Sequence, residues 1–427
     1  MKKKIKNRLF INIISLVILQ GSNYIFPLVT FPYLVRMLGT NNYGVLVFCI
    51  AIMQFLNIIV DYGFNLSGTR EISINKYIKN KVNEIYNVIM TIKIILTVLI
   101  GIIYFICIEG LPFFHENKVA FLLSYLILVG NTLFPIWLYQ GLEKMKYITY
   151  INIVVKILVT VLIFVFVKGE NDINIAVFFQ TLYYIIPGVI SLFFVKRKFQ
   201  IQYRFIMDIE IIKRELLKGK YVFLTNLWIN FYSQGPLIIL GFISGNNATG
   251  NYGIGQKIMV AFYGLTQPVI QAIYPYICEM YGNKKENFFS FRKKVLILSF
   301  IASILIAASL FILSPQLTIF ISGSYNLRVI LLIRVFSIIV CLSIMNTVMA
   351  RFIYAMDLEK MLNKSYSIAG IIFIIFAVPL TIWFKEFGMV TVVMLAEAII
   401  FMLNTRISMR NSFYFKRYSV KFNRNFR

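Results

Sequence analysis

The chain has 427 residues, of which 59% are apolar, 16% aromatic and only 14% charged. That leaves too little polar surface for a water-soluble domain of this size, so the composition predicts a lipid bilayer as the solvent. The formal net charge of +26, from 43 Lys and Arg against 17 Asp and Glu, invites a nucleic-acid partner, but the placement of the basic residues along the chain argues against one.

Taken in chain order, twelve stretches approach the roughly 20 mostly apolar residues that a transmembrane helix needs. They are 9–35, 44–60, 86–108, 119–138, 148–167, 175–194, 221–243, 249–273, 295–313, 327–349, 366–384 and 387–404. Their apolar runs are continuous rather than alternating, which selects helices over a barrel. The opening MKKKIKNRLF looks like the start of a signal peptide. The run behind it is too long, holds Pro27 and Pro32 and lacks a small-residue cleavage site, so it is expected to stay as the first span. Cytoplasmic loops carry the excess of Lys and Arg. With the N-terminus inside, segments 1–8, 61–85, 139–147, 195–220, 278–294, 350–365 and 405–427 hold 34 of the 43 basic residues. The opposite loops hold five, and four lie within spans. The asymmetry predicts twelve spans with both termini inside, and it makes anionic lipid headgroups the partners of the basic residues.

The longest inside connection, 195–220, divides the spans six and six. The expected domains are an N-terminal lobe at 1–200, a cytoplasmic linker at 201–220 and a C-terminal lobe with a basic tail at 221–427. In the linker, Ile206, Ile209, Ile212 and Leu216 recur at helical spacing. They suit a helix lying on the membrane surface with Lys213, Arg214 and Lys218 toward headgroups; a solvated basic linker is the other reading. Two short peptides recur. Asn-Tyr-Gly follows span 1 at 42–44 and span 7 at 251–253, and Leu-Glu-Lys-Met follows span 4 at 142–145 and span 10 at 358–361. Their placement predicts an all-α polytopic protein built as a parallel repeat, two pseudo-symmetric six-helix lobes of the same orientation. Pro27 and Pro236 match across the repeat and can bend their helices during a conformational cycle, with static packing as the other reading. Cys49, Cys107, Cys278 and Cys341 show no metal-type spacing, and His115 is the sole histidine, so no metal or other cofactor is expected.

Residues 7–48, NRLFINIISLVILQGSNYIFPLVTFPYLVRMLGTNNYGVLVF, resemble the start of Wzx-type polysaccharide flippases. These form the polysaccharide transporter branch of the multidrug and oligosaccharidyl-lipid exporter superfamily. The shared pattern is Pro32, Tyr33, Arg36, Leu38, Gly39, Tyr43 and Gly44. A second family-like stretch, FPIWLYQGLEKMKYIT at 134–149, carries Pro135, Trp137, Gln140, Gly141, Glu143 and Met145. The resemblance covers essentially the whole chain. It implies two lobes forming a V around a central cavity, alternating access and a bacterial cytoplasmic (inner) membrane. The implied cargo is an oligosaccharide repeat unit on undecaprenyl pyrophosphate, moved to the outer leaflet for O-antigen or capsule assembly. A polysaccharide polymerase and a chain-length regulator are further implied partners.

Charge at bilayer depth is costly, so it is hidden, paired or functional. The residues concerned are Lys93, Lys156, Lys257, Arg334 and Glu397. Lys93 lies near the cytoplasmic end of its span and is expected to snorkel to headgroups. Lys156, Lys257 and Arg334 lie deeper, where snorkelling is less comfortable though still open to them, and are expected to face a water-filled cavity that receives a diphosphate, whose oxygens Lys and Arg bind well. Glu397 has two readings, a structural ion pair with one of these cations or a site for the H+ or Na+ that couples transport. Gln20, Asn23, Asn131, Asn226, Asn230 and Gln256 are the polar candidates to meet the sugars, with interhelical hydrogen bonding as the alternative. Asn226 and Asn230 share a helix face.

Three other functions are compatible with a polytopic chain. A polymerase or glycosyltransferase would place catalytic carboxylates in a substantial outer loop, and the outer loops here are short, with dispersed acids. A drug or cation antiporter of the same superfamily should carry acids in the N-terminal lobe, and none falls inside spans 1–6. A lipid II-type flippase would have two further spans. A transporter, and not an enzyme, is the expectation.

Overall fold

The computed structural model describes the backbone of residues 2–283 and 285–424, with side chains at 21, 26–271, 273–282 and 288–409. The described elements are α1 (Lys2–Asp61), α2 (Phe64–Asn75), α3 (Lys79–Gly110), α4 (Lys118–Leu133), α5 (Ile136–Gly141), α6 (Met145–Phe166), α7 (Ile173–Arg197), α8 (Ile209–Asn283), α9 (Lys285–Ser322), α10 (Leu327–Ala355) and α11 (Glu359–Arg424). Short 3-10 turns at Pro112–Phe114 and Glu170–Asp172 complete them, and no strand occurs among the described residues. Nine helices in this part are long and apolar enough to cross a membrane. Their outward faces are apolar: α3 exposes Val98, Leu99, Ile102, Ile103 and Ile106. A water-soluble helix would turn such residues inward.

Three of the nine, at Phe26–Asn75, Ile209–Gln271 and Glu359–Met409, run to 50, 63 and 51 residues, about twice what one crossing needs. Each is broken by one non-helical residue: Gly39 (φ 70°, ψ 168°), Gly245 (φ 80°, ψ −179°) and Lys385 (φ 51°, ψ −130°). The two glycines occupy a region open essentially to glycine alone. The polar stretch after Gly39, expected as an outer turn, is therefore the first turn of the next helix, because one glycine suffices to redirect the chain.

The chain divides into two compact units, Met1–Gly250 and Asn251–Arg427. In the first, the backbones of 40–44 and 246–250 touch. A Cβ on Gly44 would collide with the carbonyl of Asn246, and one on Gly250 with the carbonyl of Thr40. Small residues allow this approach, which lipid-embedded helices use for van der Waals packing. A core around Trp137, Tyr139, Tyr86 and Phe64 lies farther along the unit. Ile206, Ile212 and Leu216 pack against that core, and residues 209–220 are continuous with the helix that follows. The stripe assigned to a membrane surface is thus covered by protein, with only Ile209 strongly exposed at 78%. In the second unit, Phe288, Phe352, Ile353 and Leu362 centre the core.

The units repeat one turn closely. Glu143 and Asp357 both have φ 57°. Lys144 N donates to Tyr139 O and Glu143 N to Gln140 O; Leu358 N donates to Ile353 O and Asp357 N to Tyr354 O. These are Schellman caps with an acid where glycine is usual. The equivalent of Glu143 is Asp357, so the recurring Leu-Glu-Lys-Met is displaced by two residues from the structural match. Likewise Gly39 corresponds to Gly245 and Gly44 to Gly250, which displaces Asn-Tyr-Gly by three.

Gly245→Ala tests the break. No atom lies within 4 Å of the Cβ it would add, so the loss reports the backbone alone and should be about 1–3 kcal/mol, seen as a lower melting temperature in detergent. Gly44→Ala, which meets a neighbouring backbone, should lose more. A Gly245→Ala protein that melts with the wild type would refute the assignment.

Candidate functional site

The charges at bilayer depth are positioned by their helices as follows. Lys93 on α3 is 3% exposed, and its Nζ lies 3.4 Å from Asp61 Oδ1, itself on a largely buried side chain. It does not snorkel. Asp61 ends α1, where Tyr62 and Gly63 turn the chain through positive φ. A carboxylate there sits at the negative end of a helix dipole, and the Lys93 ammonium offsets both. Asp61 is thus a buried partner, and one of the four cations is accounted for.

Lys156 on α6 is half-buried. Arg334 on α10 is half-buried against α9: its Nε donates to Ser314 Oγ at 3.3 Å, and its guanidinium lies 5.0 Å from the Phe311 ring centroid. Lys257 on α8 is exposed. Among the described residues no ion pair joins Lys257 or Arg334 to a carboxylate. Asn226 and Asn230 share a face, with Asn230 Nδ2 donating to Asn226 O at 3.0 Å. Asn131 and Gln256 are half-buried. Gln20 and Asn23 lie outside the residues whose side chains are described.

Glu397 on α11 is 8% exposed. Asn346 of α10 donates through Nδ2 to its Oε2 at 2.5 Å and to its backbone carbonyl at 3.0 Å. Asn346 Oδ1 is buried without a hydrogen-bond partner, as are both amide atoms of Asn404. A carboxylate and buried acceptor oxygens therefore occur on two packed helices.

Polar residues beside the helix breaks carry more than sequence reasoning gave them. Glu386, counted as a dispersed outer acid, is 0% exposed. It receives Arg328 Nη1 at 3.1 Å and Asn251 Nδ2 at 3.4 Å, while Asn326 donates to Asn251 and caps α10. In the first unit, Asn42 donates to Glu170 O at 2.8 Å. Each unit thus docks the start of one helix onto an acid-bearing turn. Tyr33 of the first motif is fixed likewise, its hydroxyl donating to the carbonyls of Val167 (2.6 Å) and Phe164 (3.1 Å), whereas Arg36 is exposed.

Breaking the Lys93–Asp61 pair should be expensive. Lys93→Met leaves a buried carboxylate and should lower stability by about 3–5 kcal/mol, whereas Lys93→Met with Asp61→Leu should recover most of it. Thermal unfolding in detergent reads both. Equal melting of the single variant and the wild type would show that the pair holds nothing together.

The sequence model of a family described as polysaccharide biosynthesis protein matches residues 9–281. A protein of Escherichia coli (strain K12) named "Putative O-antigen transporter" is 34% identical over 390 residues, covering 91% of this chain and 94% of its own. One of the same name from Shigella dysenteriae is 29% identical over 402 residues, covering 91% and 97%. Among solved structures, the lipid II flippase MurJ in an inward closed conformation superposes with a TM-score of 0.67 at 12% identity, over 92% of this chain and 86% of that one. An inward-facing multidrug resistance MATE family transporter of the MOP superfamily gives 0.58 at 15%, over 91% and 98%. At these identities the solved structures speak to the fold alone. The chain is a multi-pass membrane protein that belongs to the polysaccharide biosynthesis protein family, in its Wzx-type branch.

Proposed function

We propose that this protein moves undecaprenyl-pyrophosphate-linked oligosaccharide repeat units from the cytoplasmic to the outer leaflet of the bacterial inner membrane by alternating access, for O-antigen or capsule assembly. The observation that carries the reading is relatedness over nine-tenths of both chains to a protein named for O-antigen transport. The likeness to a lipid II flippase is at 12% identity and does not displace it. The protein acts as a transporter rather than an enzyme, and a polysaccharide polymerase and chain-length regulator would work beside it.

Dividing each of the three long helices at Gly39, Gly245 and Lys385 raises the nine candidate spans to twelve. With the basic residues on the cytoplasmic side, that supports both termini inside and lobes at 1–200 and 221–427 about a linker at 201–220. Lys156, Lys257 and Arg334 supply donors for the diphosphate, and Gln20, Asn23, Asn131, Asn226, Asn230 and Gln256 supply groups for sugar hydroxyls. The cation-antiporter alternative needs a carboxylate for its substrate in the first unit; Asp61 is buried there but is already neutralised by Lys93. Glu397, with the buried oxygen of Asn346 beside it, is the place for H+ or Na+, since oxygen ligands suit a hard cation.

Deleting the gene should strip surface polysaccharide and leave lipid-linked repeat units on the cytoplasmic leaflet; unchanged polysaccharide would reject the reading. Complementation with Lys156→Ala, Lys257→Ala or Arg334→Ala should reduce export roughly tenfold or more in at least one case, the worth of a charged hydrogen bond. Wild-type export in all three would reject the cationic site. Glu397→Gln should abolish the dependence of export on an imposed H+ or Na+ gradient, and a retained dependence would remove it from coupling.

A further inference from the structure

Three residues of the second family-like stretch, Leu142, Glu143 and Lys144, play no part in the transport reading, yet they wall a pocket of about 300 Å³ in the first unit. The pocket opens where α2 ends, α3 begins and α5 turns into α6. Lys76, Lys79 and Lys144 line it with a single carboxylate, Glu143. Lys76 Nζ lies 2.6 Å from Glu143 Oε1, and Lys79 Nζ donates to Gln200 Oε1 at 2.7 Å. An ammonium has three donors, and these bonds take one from each. The hydrogen bond to Glu143 holds the Lys76 ammonium above the usual lysine range. Lys198 and Lys146 sit just beyond, over the Tyr147 ring at 4.6 and 5.3 Å. The inner wall is apolar, formed by Val82, Phe199 and Ile201, with Val82 and Ile201 buried.

Glu143 sits in a left-handed conformation that disfavours any residue with a side chain. Beside the mouth, Tyr77 is 88% and Ile78 55% exposed, as interfacial anchors are. A cationic rim over an apolar wall, at the end of spanning helices, fits a molecule with a phosphate head and an apolar body. A free anion would leave the apolar wall unused.

We propose that this pocket binds the phosphate headgroup of an anionic phospholipid, with Lys79 and Lys144 donating to it and Lys76 fixed in place by Glu143. Basic pockets between membrane helices bind such headgroups. The site is separate from the transport candidates and stands whatever the cargo.

The test uses the purified full chain in neutral detergent, titrated with phosphatidylglycerol, phosphatidylethanolamine, undecaprenyl phosphate and inorganic pyrophosphate while the melting temperature is followed. Phosphatidylglycerol should raise it saturably and the others should not. Lys79→Gln with Lys144→Gln should weaken half-saturation by roughly fivefold per lysine. The corresponding arginine pair should bind like the wild type, which keeps the test decisive if the glutamine pair folds poorly. Wild-type half-saturation in the glutamine pair, loss of binding in the arginine pair, or an equal effect of phosphatidylethanolamine, undecaprenyl phosphate or pyrophosphate would each overturn the assignment. None of these readouts involves export, so the site and the transport reading fail independently.

Discussion

The first unit depends on a place where two backbones touch without side chains between them. Gly44 lies on the carbonyl of Asn246 and Gly250 on that of Thr40, so each glycine meets the residue four before the other. The contact is reciprocal because the local chains are alike: a glycine break, then four residues, then a second glycine. In lipid there is little hydrophobic gain in bringing helices together, since the tails are as apolar as leucine. Close packing is what remains, and it needs hydrogens at the crossing. Gly39 and Gly245 set the direction from which the crossing helices arrive, which ties the contact to the breaks.

The same absence of water explains the polar groups. Thr97 bonds Thr132 at 2.7 Å across α3 and α4, and Tyr139 and Ser191 bond across α5 and α7. Lys93 and Asp61 go further, matching a buried cation to a carboxylate at a helix end. Such a pair holds α1 and α3 together chiefly because separating it strands a charge. Its presence alters the charge balance of the spans: the cations left for other work are Lys156, Lys257 and Arg334, and Arg334 already lies against Phe311 and Ser314.

Spans, helical class and family were legible in the sequence because they rest on local composition and short motifs. What was not legible depends on partners far along the chain. Lys93 looked like a snorkelling residue because Asp61 is 32 residues away and nothing local announces that they meet. Glu386 looked like a loop acid because its burial comes from Arg328 and Asn251. The apolar stripe of 206–216 was visible, but the sequence could not say whether lipid or the core around Trp137 covers it. The identical letters behind the expected repeat are out of register with the geometry, because the backbone demands a positive φ at Glu143 and Asp357 and a break at Gly39 and Gly245 without demanding the same neighbours. The signal that could have found the register is the pair of glycines spaced five apart, which carries a mechanism where Asn-Tyr-Gly carries only resemblance.

The acid-capped turns show how the two units can share a frame and differ in use. A residue with a side chain in the left-handed region is less stable than glycine there, yet both units keep one. In the first unit the side chain has an evident partner, since Glu143 reaches Lys76 at 2.6 Å across the gap between α5 and the end of α2. Glycine would relax the backbone but release Lys76, and with it the fixed member of the basic rim. In the second unit the same cap carries Asp357, one methylene shorter and exposed, so the backbone geometry persists where the longer reach of glutamate does not. The cap therefore occurs in both units, and among the described residues the carboxylate that reaches a lysine from it is Glu143 of the first unit, which is where the phosphate pocket lies.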